Sequence, residues 1–269
     1  MFEKISSVQN PKVKNVIHLG KASERKEQQL FIVEGFRELK LANEADFMFK
    51  YVFYCPEIGI SKEIKDLINK IASQFIVYEV TAAVFEKVAY RENSDGLLAV
   101  VVSKYLKLSD LNLGPKPLIV ILEKVEKPGN LGAVLRTADA AQVDAVLVCD
   151  PLTDIYNPNV IRSSIGCIFS GKIVCCTSME AIEWLRKSNI KSFAAALTAN
   201  KWYHEISLTE ATAIVMGTEA DGLSEFWLKE SDAQIKIPML GKIDSLNVSN
   251  ATAVLVYEAM RQRNFKKHL

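Results

Sequence analysis

The sequence predicts an α/β protein whose larger part is a mostly parallel sheet with helices on both faces. Short apolar runs of strand length alternate with stretches of helical periodicity along most of the 269 residues. The apolar runs are nearly continuous, as expected for strands that helices cover on both sides. A segment rich in turn-forming residues divides this pattern into two parts.

The alternation can be followed element by element. In the first part we predict strands at residues 31–33, 51–54, 75–78 and 97–102, and helices at 35–45, 61–72 and 82–88. In the second part we predict strands at residues 118–122, 145–149, 172–176, 191–197, 213–217 and 233–237, and helices at 130–142, 178–187, 224–229 and 247–263.

The clearest boundary lies at residues 107–117, which contain Gly114, Pro115 and Pro117. This stretch follows the last strand predicted in the first part. We therefore predict a first domain over residues 1–104, a linker over 105–116 and a second domain over 117–269.

Composition excludes several classes of protein. The formal net charge is +1, so whole-body charge does not drive binding to nucleic acid, although a local basic patch could. No apolar run approaches the roughly 20 residues of a membrane-spanning helix, and the chain start lacks the apolar core of a secretory signal. The five cysteines form no Cys-x-x-Cys pair, and the three histidines do not cluster with them. We therefore expect reduced thiols, no metal, no membrane partner and a cytoplasmic location.

Nucleotide-binding fingerprints are missing from the sequence. A dinucleotide-binding fold needs Gly-x-Gly-x-x-Gly after its first strand, and the stretch from Gly129 to Gly132 does not supply it. No Walker A pattern occurs either. These gaps argue against a nucleotide-dependent oxidoreductase.

Polar side chains follow the first strand predicted in the second part. Pro128 and Gly129 form a turn, and Asn130 can cap the helix that follows. Arg136 lies off the apolar stripe of that helix and near its start, where the helix dipole favours acids over bases. Arg136 is therefore either a binding residue for an anionic partner or a solvated arginine.

Two further strand ends carry polar residues. Gly217 and Gly222 bracket a loop that contains Glu219, which can bind a ligand or brace the loop. Before the last helix, Ser245, Asn247 and Ser249 alternate with apolar residues. One of them must be the N-cap, and three exceed what capping requires. In open α/β sheets ligands bind beyond the carboxyl ends of strands, where these loops are expected.

Two segments are locally basic. Near the chain start, lysines and arginines outnumber acids between residues 4 and 26, and the last nine residues hold four basic residues without an acid. Each segment is either a phosphate-contacting edge or a solvated face.

The three motif stretches become specific in combination. Residues 127–138 (KPGNLGAVLRTA), 216–223 (MGTEADGL) and 237–251 (IPMLGKIDSLNVSNA) resemble, in order, the three motifs of the SpoU (TrmH-type) branch of the SPOUT RNA methyltransferases. Residues 155–166 fit between the first two motifs. Residues 7–14 and 31–37 resemble the N-terminal substrate-binding domain of that family. One departure is residues 123–127 (EKVEK), where the family usually has Asp-Gly-Val-x-Asp/Asn.

The resemblance implies a fold and a cofactor. The second domain would form a trefoil knot, the first a ribosomal-protein-like α/β RNA-binding fold, and the protein a homodimer. The loops after Leu197, Gly217 and Ile237 would hold S-adenosyl-L-methionine. The implied cofactor-binding residues are Leu197, Thr198, Gly217, Ile237, Met239, Ser245, Leu246 and Asn247.

The resemblance also implies methyl transfer to a ribose 2′-hydroxyl of RNA. Arg136 would take the central catalytic role, by stabilising the developing alkoxide rather than as a base, because a guanidinium group is a poor base in proteins. The residues that would position Arg136 and the ribose are Asn130, Glu219, Asn247 and Ser249. The implied RNA-contact residues are Arg162, Lys12, Lys14, Arg25 and Lys26.

Three functional hypotheses stay open on the sequence. Ribosomal RNA is the favoured substrate because the N-terminal module is present, as in ribosomal members of the family. A tRNA methyltransferase is the first alternative. A non-catalytic RNA-binding or ribosome-assembly factor that retains the fold is the second.

Overall fold

The computed structural model describes residues 2–218 and 221–265. The chain divides into two compact units. The first holds the chain up to Lys104 together with Asp154–Ser170, and the second holds Tyr105–Thr153 and the chain from Gly171 onward. No helix in the described ranges is long and apolar enough to span a membrane.

Strands and helices alternate as the sequence predicts. The strands are β1 (Glu3–Ile5), β2 (Leu30–Glu34), β3 (Phe49–Tyr54), β4 (Val77–Val80), β5 (Leu97–Val102), β6 (Leu118–Glu123), β7 (Ala145–Cys149), β8 (Ile173–Cys176), β9 (Lys191–Ala195), β10 (Lys201–Trp202), β11 (Thr212–Met216) and β12 (Ala233–Lys236). The helices are α1 (Pro11–His18), α2 (Ala22–Gln28), α3 (Phe36–Glu44), α4 (Lys62–Ala72), α5 (Ala82–Val88), α6 (Pro128–Ala140), α7 (Pro158–Ser163), α8 (Ser178–Lys187), α9 (Glu225–Glu230) and α10 (Val248–Gln262).

The first unit is built on a mixed five-stranded sheet in the order β1-β4-β3-β5-β2. Strands β1, β4 and β3 run parallel, whereas β5 runs antiparallel to β3 and β2. Its core is apolar and rich in aromatic rings, with Phe53 and Phe85 fully buried.

The segment Asp154–Ser170 clusters with the first unit, although the sequence analysis assigned it to the second domain. The ring of Tyr156 stacks on that of Phe31 with the centroids 4.0 Å apart. The Arg25 guanidinium also donates to the Asp154 carboxylate over 2.6 Å. Burial of the two rings and of this ion pair explains why the segment leaves its sequence neighbours.

The second unit is a seven-stranded sheet in the order β10-β12-β9-β11-β6-β7-β8, and every strand pairing in it is parallel. The predicted α/β fold with a mostly parallel sheet is therefore confirmed. The predicted linker packs on this unit, because Leu106, Leu108, Leu111 and Leu113 are half-buried against its core.

Several short elements were missed by the sequence analysis: β1, α1, α2, α7 and β10. Helices α1 and α7 both begin at a proline preceded by an asparagine N-cap, at Asn10 and Asn157. This pattern is a known helix start, so the signal was present. The prediction that Asn130 caps α6 was wrong, because that helix begins two residues earlier at Pro128.

The end of α10 is fixed by Arg263. This side chain is buried and donates hydrogen bonds to the carbonyls of Leu208, Lys116, Pro117 and Glu210. Burial lowers the pKa of the Arg263 guanidinium. Arg263 is therefore a structural residue within the basic C-terminal segment rather than part of a phosphate-contacting edge.

Candidate active site

Three loops meet at one edge of the second sheet. Strands β12, β9 and β11 are neighbours and run parallel, so their carboxyl ends lie side by side. The sheet order reverses next to this group, between β11 and β6, since the chain continues from β6 to β7 and β8 on the other side. Ligands of open α/β sheets bind in the crevice at such a reversal.

A cavity of about 520 Å³ lies at this edge. Its volume is in the range of small-molecule and cofactor sites. The structure brings seven of the eight predicted cofactor residues together in its wall, namely Leu197, Thr198, Gly217, Ile237, Met239, Ser245 and Leu246. The eighth, Asn247, follows directly in the chain as the N-cap of α10.

Gly217 lies where the backbone is too crowded for a side chain. A Cβ atom at this position would lie 2.2 Å from the carbonyl carbon and oxygen of Gly222. The loop is closed by a hydrogen bond from the Thr218 amide to the Gly222 carbonyl oxygen, 2.9 Å long. Glycine at 217 therefore keeps the loop folded tightly against the cavity.

A smaller cavity of about 80 Å³ adjoins the first. The two share Gly217, Thr218 and Val248 as wall residues. Asn130 and Lys127, from the start of α6, line the smaller one. The first motif thus faces the same space as the loops of the other two motifs.

Three of the predicted positioning residues form one hydrogen-bonded chain. The Asn247 side-chain amide donates to Asn130 Oδ1 over 3.2 Å. Asn247 Oδ1 in turn accepts from the backbone amide and the hydroxyl of Ser249, at 3.0 and 2.6 Å. Asn247 is therefore both the N-cap of α10 and the link between α10 and α6.

Arg136 lies in the third turn of α6, deeper in the helix than the sequence analysis placed it, because the helix begins at Pro128. Its side chain is exposed, and no ion pair reaches it within residues 2–218 and 221–265. A guanidinium without an acidic partner is available to an anionic ligand. Glu219, the remaining predicted positioning residue, lies outside the described residues.

Glu123 is a buried acid that the sequence analysis noted only as a departure from the family pattern. Its carboxylate accepts a 2.8 Å hydrogen bond from the Ser224 amide, at the start of α9. Glu123 also lines the smaller cavity. An acid at the end of an apolar strand was the signal that could have identified it.

The predicted RNA-contact residues differ in exposure. Lys14, Lys26 and Arg162 are exposed, whereas Lys12 is half-buried with its ammonium 4.9 Å from the Tyr78 ring centroid. Arg25 is only 3% exposed and, besides Asp154, donates to the carbonyls of Leu19 and Gly20. The prediction of Arg25 as an RNA contact was therefore wrong, because its guanidinium is buried and engaged inside the first unit.

The cysteines form no disulfide bond with one another. Cys149 Sγ lies 3.8 Å from Cys176 Sγ on the neighbouring strand. The hydrogen bond with Cys176, together with burial, raises the pKa of the Cys149 thiol. In the part of the chain that the structure describes, no three His, Cys, Asp or Glu residues are grouped for a metal ion.

The chain is similar to known RNA methyltransferases over nearly its whole length. A relative from Bacillus subtilis (strain 168), a 23S rRNA (guanosine(2553)-2′-O)-methyltransferase, is 28% identical over 95% of this chain and 98% of its own. A crystal structure of an RNA 2′-O ribose methyltransferase is 37% identical, covers 97% of this chain and 99% of its own, and has a TM-score of 0.84. An AdoMet-bound rRNA methyltransferase from Sinorhizobium meliloti has a TM-score of 0.88 at 27% identity, over 97% of this chain and 98% of its own.

Family models match both parts of the chain. A model described as the MRM3-like substrate binding domain matches residues 10–99, and one described as the SpoU rRNA Methylase family matches residues 117–257. The second match covers 141 of the 269 residues, counted from 117 to 257. The chain therefore belongs to the SpoU rRNA methylase family.

Proposed function

We propose that the protein transfers a methyl group from S-adenosyl-L-methionine to a ribose 2′-hydroxyl of RNA, with ribosomal RNA as the substrate. The observation that carries this proposal is the junction of the two cavities at Gly217, where the three motif loops meet. A cofactor in the larger cavity and a ribose at the smaller one would meet there.

The residues of the larger cavity fit the cofactor. Leu197, Met239 and Leu246 offer apolar surface for the adenine ring, and Thr198 and Ser245 offer hydroxyls. Gly217 lets the backbone approach the ligand without a side chain between them. When bound, S-adenosyl-L-methionine supplies an electrophilic methyl group on its sulfonium.

The chain's own residues orient the acceptor and stabilise its charge. The Arg136 guanidinium acts on the developing alkoxide as a cation and a hydrogen-bond donor. The hydrogen-bonded chain of Asn130, Asn247 and Ser249 fixes α6 against α10 and thereby the helix that carries Arg136. Glu219 completes the positioning set.

Two features favour ribosomal RNA over tRNA. The B. subtilis relative, similar over nearly its full length, is named a 23S rRNA methyltransferase. The first unit also matches a substrate-binding domain, which extends the RNA contact beyond the target nucleotide. Methylation of tRNA is the alternative that the experiment below decides.

We further propose that the second unit is knotted and that the protein is a cytoplasmic homodimer. Leu240 is 98% exposed and Ile243 65% exposed in the loop before α10, and Tyr257 on α10 is also exposed. Large apolar side chains that are clustered in one exposed segment are typical of subunit interfaces. A second copy of the chain would cover them.

Methyl transfer from labelled cofactor to unmodified ribosomal RNA and, separately, unmodified tRNA tests the proposal, with nucleoside analysis for 2′-O-methylribose. We expect label on ribosomal RNA. Label on tRNA alone would favour the alternative substrate. Binding of the cofactor without label on either RNA would contradict both assignments, and absence of cofactor binding would leave a non-catalytic RNA-binding protein.

Arg136→Ala should reduce transfer at least a thousandfold and leave the dissociation constant for the cofactor within twofold. The reason is that Arg136 stabilises charge that develops only in the transition state and lies outside the cofactor cavity. Arg186→Ala is the matched control, since Arg186 is also an exposed helical arginine of the second unit. Loss of cofactor binding in a folded Arg136→Ala protein would refute this division of roles.

A further inference from the structure

The first unit contains a cavity that the proposed reaction does not use. It has a volume of about 190 Å³, which is enough for several water molecules or one aromatic ring system. Four stretches that are distant in sequence build it: the end of α1, strand β2, the end of α5 and helix α7. All of its wall residues belong to the first unit.

Glu34 is the unusual residue of this wall. Glu34 is the last residue of β2 and is only 6% exposed. Oε2 accepts a 2.7 Å hydrogen bond from the Tyr90 amide. Oε1 is buried and has no hydrogen-bond partner among the described residues. Because a buried carboxylate oxygen without a donor is costly, Glu34 indicates a ligand that donates hydrogen bonds.

The rest of the cavity combines apolar walls with a basic rim. The walls are aliphatic, from Val16, Ile17, Ile32, Val88 and Ile161. Tyr90 is half exposed and can stack on a flat ring.

Three cationic side chains lie beside these walls. Lys87 and Arg162 are exposed and have no ion pair among the described residues. Arg91 is instead held by the Glu38 carboxylate. A flat ligand with hydrogen-bond donors on its edge and phosphates at its sides fits this arrangement.

We propose that this cavity binds a guanine base of the substrate RNA, a nucleotide other than the one methylated. The inference rests on the proposed RNA substrate. Guanine N1–H and N2–H are adjacent parallel donors, and the two oxygens of the Glu34 carboxylate match them once the side chain turns the buried Oε1 toward the cavity. In adenine and cytosine an acceptor nitrogen stands beside the amine, and in uracil two carbonyls flank the single N–H. Those edges would each turn a lone pair toward the carboxylate.

The basic rim completes the recognition of a nucleotide. Lys87 and Arg162 line the cavity and are exposed, so they can contact the phosphates that flank the bound base. The base contact selects sequence and the phosphate contacts add affinity, as in other complexes with unpaired RNA. The first unit thereby distinguishes one RNA from another.

Titration with single nucleotides tests the cavity independently of catalysis. With isoleucine methyl groups labelled, guanosine 5′-monophosphate should shift the resonances of Ile17, Ile32 and Ile161 and bind at least fivefold more tightly than inosine 5′-monophosphate, which lacks the N2 amine. Glu34→Gln should abolish this preference, because one donor of guanine would then face an amide NH₂. The variant should fold, since its amide oxygen can still accept from Tyr90. Glu27→Gln, an exposed acid on α2, is the matched control.

The full enzyme provides the second measurement. Glu34→Gln should raise the KM for unmodified ribosomal RNA about tenfold, with kcat and cofactor affinity unchanged. Equal affinity for all nucleotides, unshifted methyl resonances or an unchanged KM would overturn the guanine site and leave the proposed function standing. Guanine-selective binding without methylation of any RNA would support the guanine site and contradict the proposed function.

Discussion

Arginines of this chain differ in burial in a way that their sequence context does not reveal. Arg25 and Arg263, one from each basic segment, are buried and donate hydrogen bonds to backbone carbonyls, whereas Arg162, outside both segments, is exposed and lines a cavity. Charge along the sequence does not reveal this difference, because a guanidinium can bind a phosphate or close a loop with the same donors.

Gly217→Ala should weaken cofactor binding at least tenfold. The added methyl group would meet the Gly222 backbone at 2.2 Å, so the loop that lines the cavity must move. Isothermal titration with S-adenosyl-L-methionine measures the effect. Gly129→Ala is the control, since a Cβ atom there has no neighbour within 4 Å. Wild-type affinity in Gly217→Ala would mean that the loop does not hold the ligand.

At the scale of the element, helix starts position the candidate active site. Helices α1, α6 and α7 each begin at a proline, and α10 begins after its asparagine cap. Proline loses no hydrogen bond at the first helical position, and its fixed φ suits the helix. The start of α6 brings Asn130 to Asn247, so two helix ends meet at the smaller cavity.

Asn247→Ser should separate the two roles of Asn247. Serine caps a helix about as well as asparagine, so the free energy of unfolding should change by less than about 0.5 kcal/mol. Serine has no amide to donate to Asn130, so the transfer rate should fall about tenfold or more. Urea denaturation and single-turnover transfer measure the two effects. Asn250→Ser, in the first turn of the same helix and exposed, is the control. An unchanged rate would remove the Asn130 contact from the positioning set.

Arg263→Ala should destabilise the second unit by about 2–4 kcal/mol. The substitution removes a buried cation and leaves the carbonyls of Leu208, Lys116, Pro117 and Glu210 without this donor. The midpoint of urea denaturation provides the measurement. Arg261→Ala should shift the midpoint far less, because its exposed side chain is paired with Glu258 at the surface, where solvent screens the ion pair. Equal midpoints for the two variants would contradict a structural role for Arg263.

At the scale of the whole molecule, a net charge of +1 offers little general attraction for RNA. Affinity must then come from local groups. The exposed candidates Lys14 and Lys26 both lie in the first unit, which matches the substrate-binding domain model.

Lys14→Ala combined with Lys26→Ala should weaken RNA binding and flatten its dependence on salt. When a phosphate contact is lost, RNA binding releases fewer counterions. The magnitude of the slope of log K against log salt should therefore fall by about 0.7–0.9 per lysine. Fluorescence anisotropy with a ribosomal RNA fragment between low and moderate salt measures this slope. Lys65→Ala, exposed on α4 of the same unit, is the control. The same slope in the double variant and the wild type would show that neither lysine contacts a phosphate.

The order and type of the main elements follow from the sequence alone. Strands such as β6 and β7 can be predicted from continuous apolar runs, because burial on both faces of a parallel sheet requires apolar residues at nearly every position. The place of the cofactor loops in the fold can be predicted for a related reason. Each loop follows a predicted strand, and the carboxyl ends of parallel strands lie at one edge of the sheet. Seven residues that the family resemblance implies for the cofactor lie around one cavity at that edge.

Only the tertiary structure decided which charged residues are buried and which residues distant in sequence contact each other. The clustering of Asp154–Ser170 with the first unit depends on Tyr156 finding Phe31, a contact between residues 125 positions apart, counted from 31 to 156. Arg25 and Glu34 follow the same rule, since their burial is set by segments distant in sequence. Local periodicity reports what a residue prefers, whereas burial of a charged group is decided by the partners that packing supplies.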